Sequence, residues 1–212
     1  ISGQIRNDII KYCFDNSIRA YISPKISDII IRGGEEITLF DTPLLLCRNG
    51  GLSLEQRIIK RIFDIVVSAV GVVALSPVML LIALAIKIDD GGKIFYKQKR
   101  LTIDAREFYV YKFRSMIADA EKDGVPKLAT DKDSRVTRVG KFLRKCRLDE
   151  LPQLINILKG DMSIVGPRPE RPELTEKYER EMPEFKFRLK VKAGLTGYAQ
   201  VTGVYDTTPY VK

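Results

Sequence analysis

The chain of 212 residues contains no histidine, no tryptophan and only three cysteines. Without histidine, these residues hold no Ser-His-Asp or Cys-His arrangement and no histidine-ligated metal. Acid–base or nucleophilic work therefore falls to Asp, Glu, Lys, Tyr or Cys. Cys13, Cys47 and Cys146 lie far apart and match no metal-binding spacing. An odd count without a close pair fits a reducing compartment. Acids are also in deficit: 27 Asp and Glu face 36 Lys and Arg, a formal net charge of +9. That excess favours an anionic partner, whether nucleic acid, an acidic membrane surface or a phosphorylated substrate. No nucleic-acid recognition motif accompanies it, so nucleic acid is not expected. No signal peptide can be read. The chain begins at Ile1, and the expectation is that it belongs to a longer protein.

One long apolar run is present. Ser53-Leu54-Glu55-Gln56 is a capping-box pattern that opens a helix. Its first turns carry Arg57, Lys60 and Arg61. After Asp64 no charge appears from Ile65 to Ile86, about the length that crosses a bilayer core. Ser76-Pro77 sits in the middle, where proline removes a backbone donor and kinks or breaks a helix. The serine hydroxyl can satisfy the carbonyl so freed. Basic residues flank both ends: Arg57, Lys60 and Arg61 before, Lys87, Lys93, Lys97, Lys99 and Arg100 after. The positive-inside rule pulls both flanks to the cytoplasm. A re-entrant helix that bends at Ser76-Pro77 satisfies this best. A spanning helix and a buried soluble helix stay open.

The densest chemistry lies from Arg144 to Glu170, RKCRLDELPQLINILKGDMSIVGPRPE. A basic run ends at Arg147, and two adjacent carboxylates follow, Asp149 and Glu150. A short apolar helix then stops at Lys159-Gly160. Gly166-Pro167-Arg168-Pro169 closes the stretch as a stiff turn carrying a guanidinium. Carboxylates among so many cations suit a highly charged ligand. The plain alternative makes Asp149 the N-cap of a helix over Glu150–Leu158, with Pro152 in its first turn.

Elsewhere the pattern is mixed. A helix is expected over Asn7–Asn16, strands over Ala20–Ile22 and Asp28–Ile31, and a return strand over Ile37–Phe40. Pro43–Cys47 is a further short apolar run. Ile94–Tyr96 and Phe108–Tyr111 look like strands, and Tyr111-Lys112-Phe113-Arg114 reads as a strand with one wet face. Ala118–Thr130 reads as a loop. Arg135, Arg138, Lys141, Arg144, Lys145 and Arg147 recur near helical spacing, with Val136, Val139, Phe142 and Leu143 as the apolar side. That pattern suits headgroups or phosphates. A charged helix is expected over Pro172–Glu181. A glycine-rich loop is expected from Gly194 to Gly203; it lacks the P-loop pattern.

Together these stretches are similar to the bacterial sugar transferase family, the monotopic polyprenyl-phosphate phosphoglycosyl transferases. The marks are KRIFDIVVSAV…LSPVMLLIALAIKI, YKFRSM, LDELPQLINILKGDMSIVGPRPE and GLTGYAQVTG, spanning Lys60 to about Pro209. The resemblance implies an α+β fold: a mainly helical, membrane-associated catalytic domain over 54–212 with short strands and a re-entrant helix hairpin at about 62–88. Residues 1–53 resemble the tail of the α/β accessory domain of larger members, with a linker. It also implies a reaction: a UDP-sugar gives its sugar-1-phosphate to undecaprenyl phosphate, and UMP leaves. Asp149 matches the nucleophile of the family's Asp-Glu dyad, and Glu150 its second member. Both are candidate ligands for Mg²⁺. Lys112, Arg144 and Arg168, with Pro167 and Pro169 around the last, match substrate-binding positions. A carboxylate beside a basic helix, at the start of its own helix, is expected to stay ionised. The implied place is the cytoplasmic face of the bacterial inner membrane, on anionic lipid, with a homodimer as an open alternative. Lys192-Ala193-Gly194 departs from the Arg-Pro-Gly of smaller members, and Thr202 and Val204 replace their Asn and Arg. A non-catalytic membrane adaptor is the competing function.

Overall fold

The computed structural model describes residues 3–16, 18–19, 31, 35–39, 42–46, 52–117, 133, 135–197 and 200–201. The chain divides into two compact units, Ile1–Gly50 and Gly51–Lys212.

The first unit contains helix α1 (Gly3–Asp15) and an antiparallel pair, β1 (Glu35–Leu39) and β2 (Thr42–Leu46). A strand is therefore present where the return strand was expected, and among the described residues it pairs with the run after it. The expected strand Ala20–Ile22 lies outside the described residues. Of Asp28–Ile31 only Ile31 is described, and it is helical.

The second unit is built on one helix, α2 (Leu54–Asp90). Its capping box forms as expected. The Ser53 side chain accepts from the Gln56 N–H, and the Gln56 side chain accepts from the Ser53 N–H. Gly91 ends the helix in the left-handed conformation, at φ 69°. The helix runs as one element with Pro77 inside it, so the two separate arms of a hairpin are not drawn. Pro77 cannot donate to Val73, four residues back. The Ser76 hydroxyl donates to that same carbonyl instead, at 2.8 Å.

The faces of α2 differ sharply. Asp64, Ser68, Ile82 and Ile86 are buried, and Val72, Leu75, Met79 and Ala83 are partly buried between them. These recur every three or four residues, the spacing of one helix face. The opposite face exposes a row of large apolar side chains, among them Ile62, Phe63, Val66, Val70, Val73, Leu80, Leu81 and Leu84. Water would not tolerate that face, but hydrocarbon would. The helix is long and apolar enough to cross a membrane, with a mean hydropathy of 2.6 over its best window.

Two apolar clusters meet the inner stripe, one on each side of Pro77. Val72 and Leu75 pack on Phe108, Val110, Leu154, Ile157, Met162 and Ala193. Ile82 and Ile86 pack with Phe113 and Leu143. Burying one such side chain stabilises the fold by roughly 1.5–3 kcal/mol. The strands behind them are β3 (Phe95–Leu101) and β4 (Glu107–Phe113), antiparallel, with Phe95 opposite Phe113. Helix α3 (Arg138–Lys145) is capped by the Thr137 side chain, and α4 (Gln153–Lys159) ends at left-handed Gly160. Strand β5 (Ser163–Val165) pairs in parallel with β6 (Gly194–Thr196), so part of the expected glycine-rich loop is strand. Helix α5 (Pro172–Glu181) lies between them in sequence, with proline in its first turn. A 3₁₀ stretch follows over Pro183–Lys190. The loop expected over Ala118–Thr130 lies outside the described residues.

Candidate active site

The basic helix is shorter than the charge pattern predicts. Arg135 precedes α3 and is held by Asp133, and Val136 forms an isolated bridge with Met116. Leu143 is buried, but Phe142 is exposed beside Lys141 and Lys145. Beyond the helix, Arg147 adopts the left-handed conformation at φ 55°, ψ 21°. A non-glycine residue there stores on the order of 1 kcal/mol. The turn it makes drops the chain into a single 3₁₀ turn, Leu148–Glu150. That turn carries both carboxylates.

Asp149 does not cap α4. The N-cap position belongs to Pro152, which makes no side-chain cap bond. The plain alternative for the acidic pair is thus overturned: the 3₁₀ turn and the two residues after it come first, and α4 starts at Gln153, three residues later than that reading places it.

Glu150 is buried, and its Oε1 accepts from Lys112 Nζ at 2.7 Å. Arg168 Nη1 stands 3.7 Å from the same oxygen. Lys112 sits on β4 on the face of Phe108 and Val110, so it is an inward lysine rather than part of a wet face. Asn156, fully buried on α4, fixes that strand. Its Oδ1 accepts from the Tyr111 N–H at 2.9 Å, and its Nδ2 donates to the Tyr109 carbonyl at 2.8 Å. Asn156 thus acts as a third strand would, one residue from Lys112. Nothing in a local sequence window signals this contact.

The Pro-Arg-Pro turn is held just as firmly. The Pro167 carbonyl accepts from the Gly194 N–H at 2.8 Å, and the Glu170 carbonyl from the Leu101 N–H at 3.0 Å. Between them, the Arg168 carbonyl accepts from Arg188 Nη2 at 2.6 Å and the Pro169 carbonyl from Arg100 Nη1 at 3.1 Å. Four consecutive carbonyls are therefore bound, and Arg168 is left to point its guanidinium at Glu150. Arg100 and Arg188 were not candidates in the sequence; both are ordinary cations until the fold turns them inward. Burial pushes Arg100 down to about 10, against the pull of Glu170.

The two carboxyls are driven apart. Burial raises Glu150, but Lys112, Arg168 and Arg147 outweigh it, and the net shift is downward. Burial also raises Asp149; Glu150 adds to this, while Lys112 and Arg144 oppose it, and the net shift is upward. The surroundings therefore do not give Asp149 the net support for ionisation that the basic run and a helix N-terminus were expected to supply. Its desolvation exceeds what the nearby cations return, and it does not stand at the N-terminus of α4. Lys112 is lowered by burial, with Arg168 adding to this against Glu150 and Asp149. The result is a poorly compensated carboxylate beside a well-compensated one. Arg144 lies exposed at the last turn of α3 and reaches Asp149 only through its charge. Arg147, beyond the basic helix, donates from Nη1 to the Gln200 carbonyl at 3.2 Å.

Among the described residues, no cluster of three His, Cys, Asp or Glu side chains forms a metal cage. Two adjacent carboxylates fit a hard cation that takes one or two protein carboxylates and completes its shell with substrate oxygens. The poorly compensated Asp149 is the carboxylate such a cation would relieve.

The acidic pair and the cations around it lie in the same unit as the long apolar helix. The chain belongs to the bacterial sugar transferase family, whose pattern matches residues 55–212. It is 45% identical over 147 residues to the UDP-N-acetylgalactosamine-undecaprenyl-phosphate N-acetylgalactosaminephosphotransferase of Aeromonas hydrophila, covering 69% of this chain and 34% of that protein. It is 36% identical over 197 residues to a UDP-glucose:undecaprenyl-phosphate glucose-1-phosphate transferase of Xanthomonas campestris pv. campestris, covering 92% and 41%. The Escherichia coli (strain K12) protein of that latter name is 43% identical over 173 residues, covering 82% and 35%. The chain thus spans about a third to two fifths of the length of these relatives.

Proposed function

We propose that this chain carries a phosphoglycosyl transferase site that moves a sugar-1-phosphate from a UDP-sugar to undecaprenyl phosphate. The observation that carries the reading is the dyad: a desolvated Asp149 next to a Glu150 already neutralised by Lys112 and Arg168. A nucleophilic carboxylate must approach an anionic diphosphate, and fixed cations lower that barrier.

In the first step an Asp149 carboxylate oxygen attacks the phosphorus nearer the sugar. The bond from that phosphorus to the bridging oxygen breaks, and UMP leaves with the electron pair. In the second step an oxygen of the lipid phosphate attacks the same phosphorus. The acyl-phosphate bond breaks and Asp149 returns as a carboxylate, with the sugar diphosphate now on the lipid. Lys112 and Arg168 hold the transferring phosphoryl oxygens. Arg144 lowers the cost of ionising Asp149. Mg²⁺, held by Asp149 and Glu150, would neutralise charge on the diphosphate. The relatives are named for glucose and N-acetylgalactosamine, which supports a UDP-hexose or UDP-N-acetylhexosamine as donor.

The apolar face of α2 is read as the membrane contact, re-entrant from the cytoplasmic face of the inner membrane. Support comes from the inner stripe: it packs on this unit both before and after Pro77. A helix that left through the far leaflet would take one of those clusters with it. The test of the chemistry is a mass measurement on protein quenched with UDP-sugar and no lipid acceptor. A phosphosugar adduct on the peptide carrying Asp149 is expected, and its absence with every donor that releases UMP would refute a covalent step.

A further inference from the structure

One buried acid plays no part in this chemistry. Asp64 is only 2% exposed, at the start of the uncharged stretch of α2. Its Oδ1 accepts two hydrogen bonds, from Ser163 Oγ and from the Ile164 N–H, both at 2.9 Å. Its neighbours on the helix reach the same region. Lys60 Nζ donates to the Val165 carbonyl at 2.9 Å. Arg61 donates to the Ile157 and Leu158 carbonyls at 2.7 and 2.8 Å, at the end of α4. Just over one turn of the apolar helix thus fastens all three residues of β5.

Strand β5 runs directly into Gly166-Pro167-Arg168. No slack separates the two. The Gly166 N–H donates to the Thr196 carbonyl at 2.8 Å, and Pro167 is held by Gly194. Gly166 itself has no room: a Cβ there would stand 2.4 Å from the Lys192 carbonyl oxygen. A shift of β5 is therefore passed along the chain to Arg168, which stands against Glu150.

We infer that Asp64 is a positioning residue for Arg168: through Ser163 and Ile164 it sets where the guanidinium stands, and so ties the seat of the apolar helix to the phosphate-handling site. This rests on the transferase function proposed above. Both hydrogen bonds end on one oxygen, so the role needs an acceptor and not a charge. Asparagine supplies that acceptor in the same shape; alanine removes it.

The test compares wild type, Asp64→Asn and Asp64→Ala, each also in an Arg168→Ala background, by UMP release and by amide hydrogen exchange at Ile164 and Gly166, the two bonded amides on the way to Arg168. Asp64→Ala is expected to lower kcat/KM by about 10- to 100-fold, the scale of a small misplacement at a reacting centre. In the Arg168→Ala background the same change should cost less than about threefold, because residues that act as a unit are not additive. Asp64→Ala should speed exchange at both amides, and Asp64→Asn should leave rates and exchange near wild type. Equal losses in the two backgrounds would overturn the inference. So would an Asp64→Asn variant that loses activity while its exchange stays protected, since that would make the charge itself chemical. If wild type releases no UMP from any donor, the transferase function fails on its own. Exchange then decides the rest, and unchanged protection in Asp64→Ala would overturn the positioning role. Should Asp64→Ala not fold, Ser163→Ala removes one of the two bonds; additivity of that change with Arg168→Ala would overturn the inference.

Discussion

Lys112→Met isolates the electrostatic centre of the site. It keeps the length of the side chain and removes the donor that stands 2.7 Å from Glu150 Oε1, the nearest among the described residues. Both partners are mostly buried, with side-chain exposures of 18% and 11%. Breaking a buried pair from one side costs about 3–5 kcal/mol, because the other charge stays behind. Arg168, farther away and more exposed, returns part of this, so a loss of about 2–4 kcal/mol is expected. For a unit of this size that is roughly 5–15 °C in Tm. The assay is thermal unfolding in detergent of wild type, Lys112→Met, Glu150→Gln and the double variant. Glu150→Gln should restore more than half of the loss, because it removes the abandoned charge. A double variant that loses the full sum of the two single changes would refute the reasoning.

Three further outcomes follow from the same geometry. Asp149→Asn should raise Tm while abolishing turnover. Its folded-state carboxyl lies above its ordinary 3.8, so near neutral pH the ionised form destabilises the fold, and the neutral isostere removes that burden; a lowered Tm would contradict this. The acid limb of the kcat–pH profile should lie above the ordinary 3.8 and move to higher pH in Lys112→Met, because Lys112 is the strongest charge holding Asp149 down; an unmoved limb would remove Lys112 from the site's electrostatics. Gly140→Ala should destabilise by more than about 2 kcal/mol in a denaturant titration, since the added Cβ would stand 2.0 Å from the Ser115 carbonyl oxygen and neither backbone can yield cheaply.

Local chemistry made much of the fold legible in the sequence. The capping box set the start of α2, the apolar period its course, and Ser76-Pro77 the place where a hydroxyl replaces a lost N–H. The acidic pair stood out because so many cations precede it. What stayed hidden depends on distant partners. Arg147 looks like one more cation of a basic helix until its backbone turns left-handed. Asn156 looks like a polar interruption of α4, and only the folded chain shows it gripping β4 beside Lys112. The basic helix is shorter than its charge spacing suggests, because that spacing does not reveal where tertiary contacts take over: Arg135 turns to Asp133, and Phe142 faces outward. The upward shift of Asp149 is hidden for the same reason. Sequence counts the neighbouring cations but not the water that burial removes.

The most direct measurement of the central proposal is UMP release from a panel of UDP-sugars with undecaprenyl phosphate, Mg²⁺ and detergent, comparing wild type with Asp149→Asn. Release with at least one donor, lost in the variant, is the predicted result. Release that survives in Asp149→Asn at the wild-type rate would contradict it.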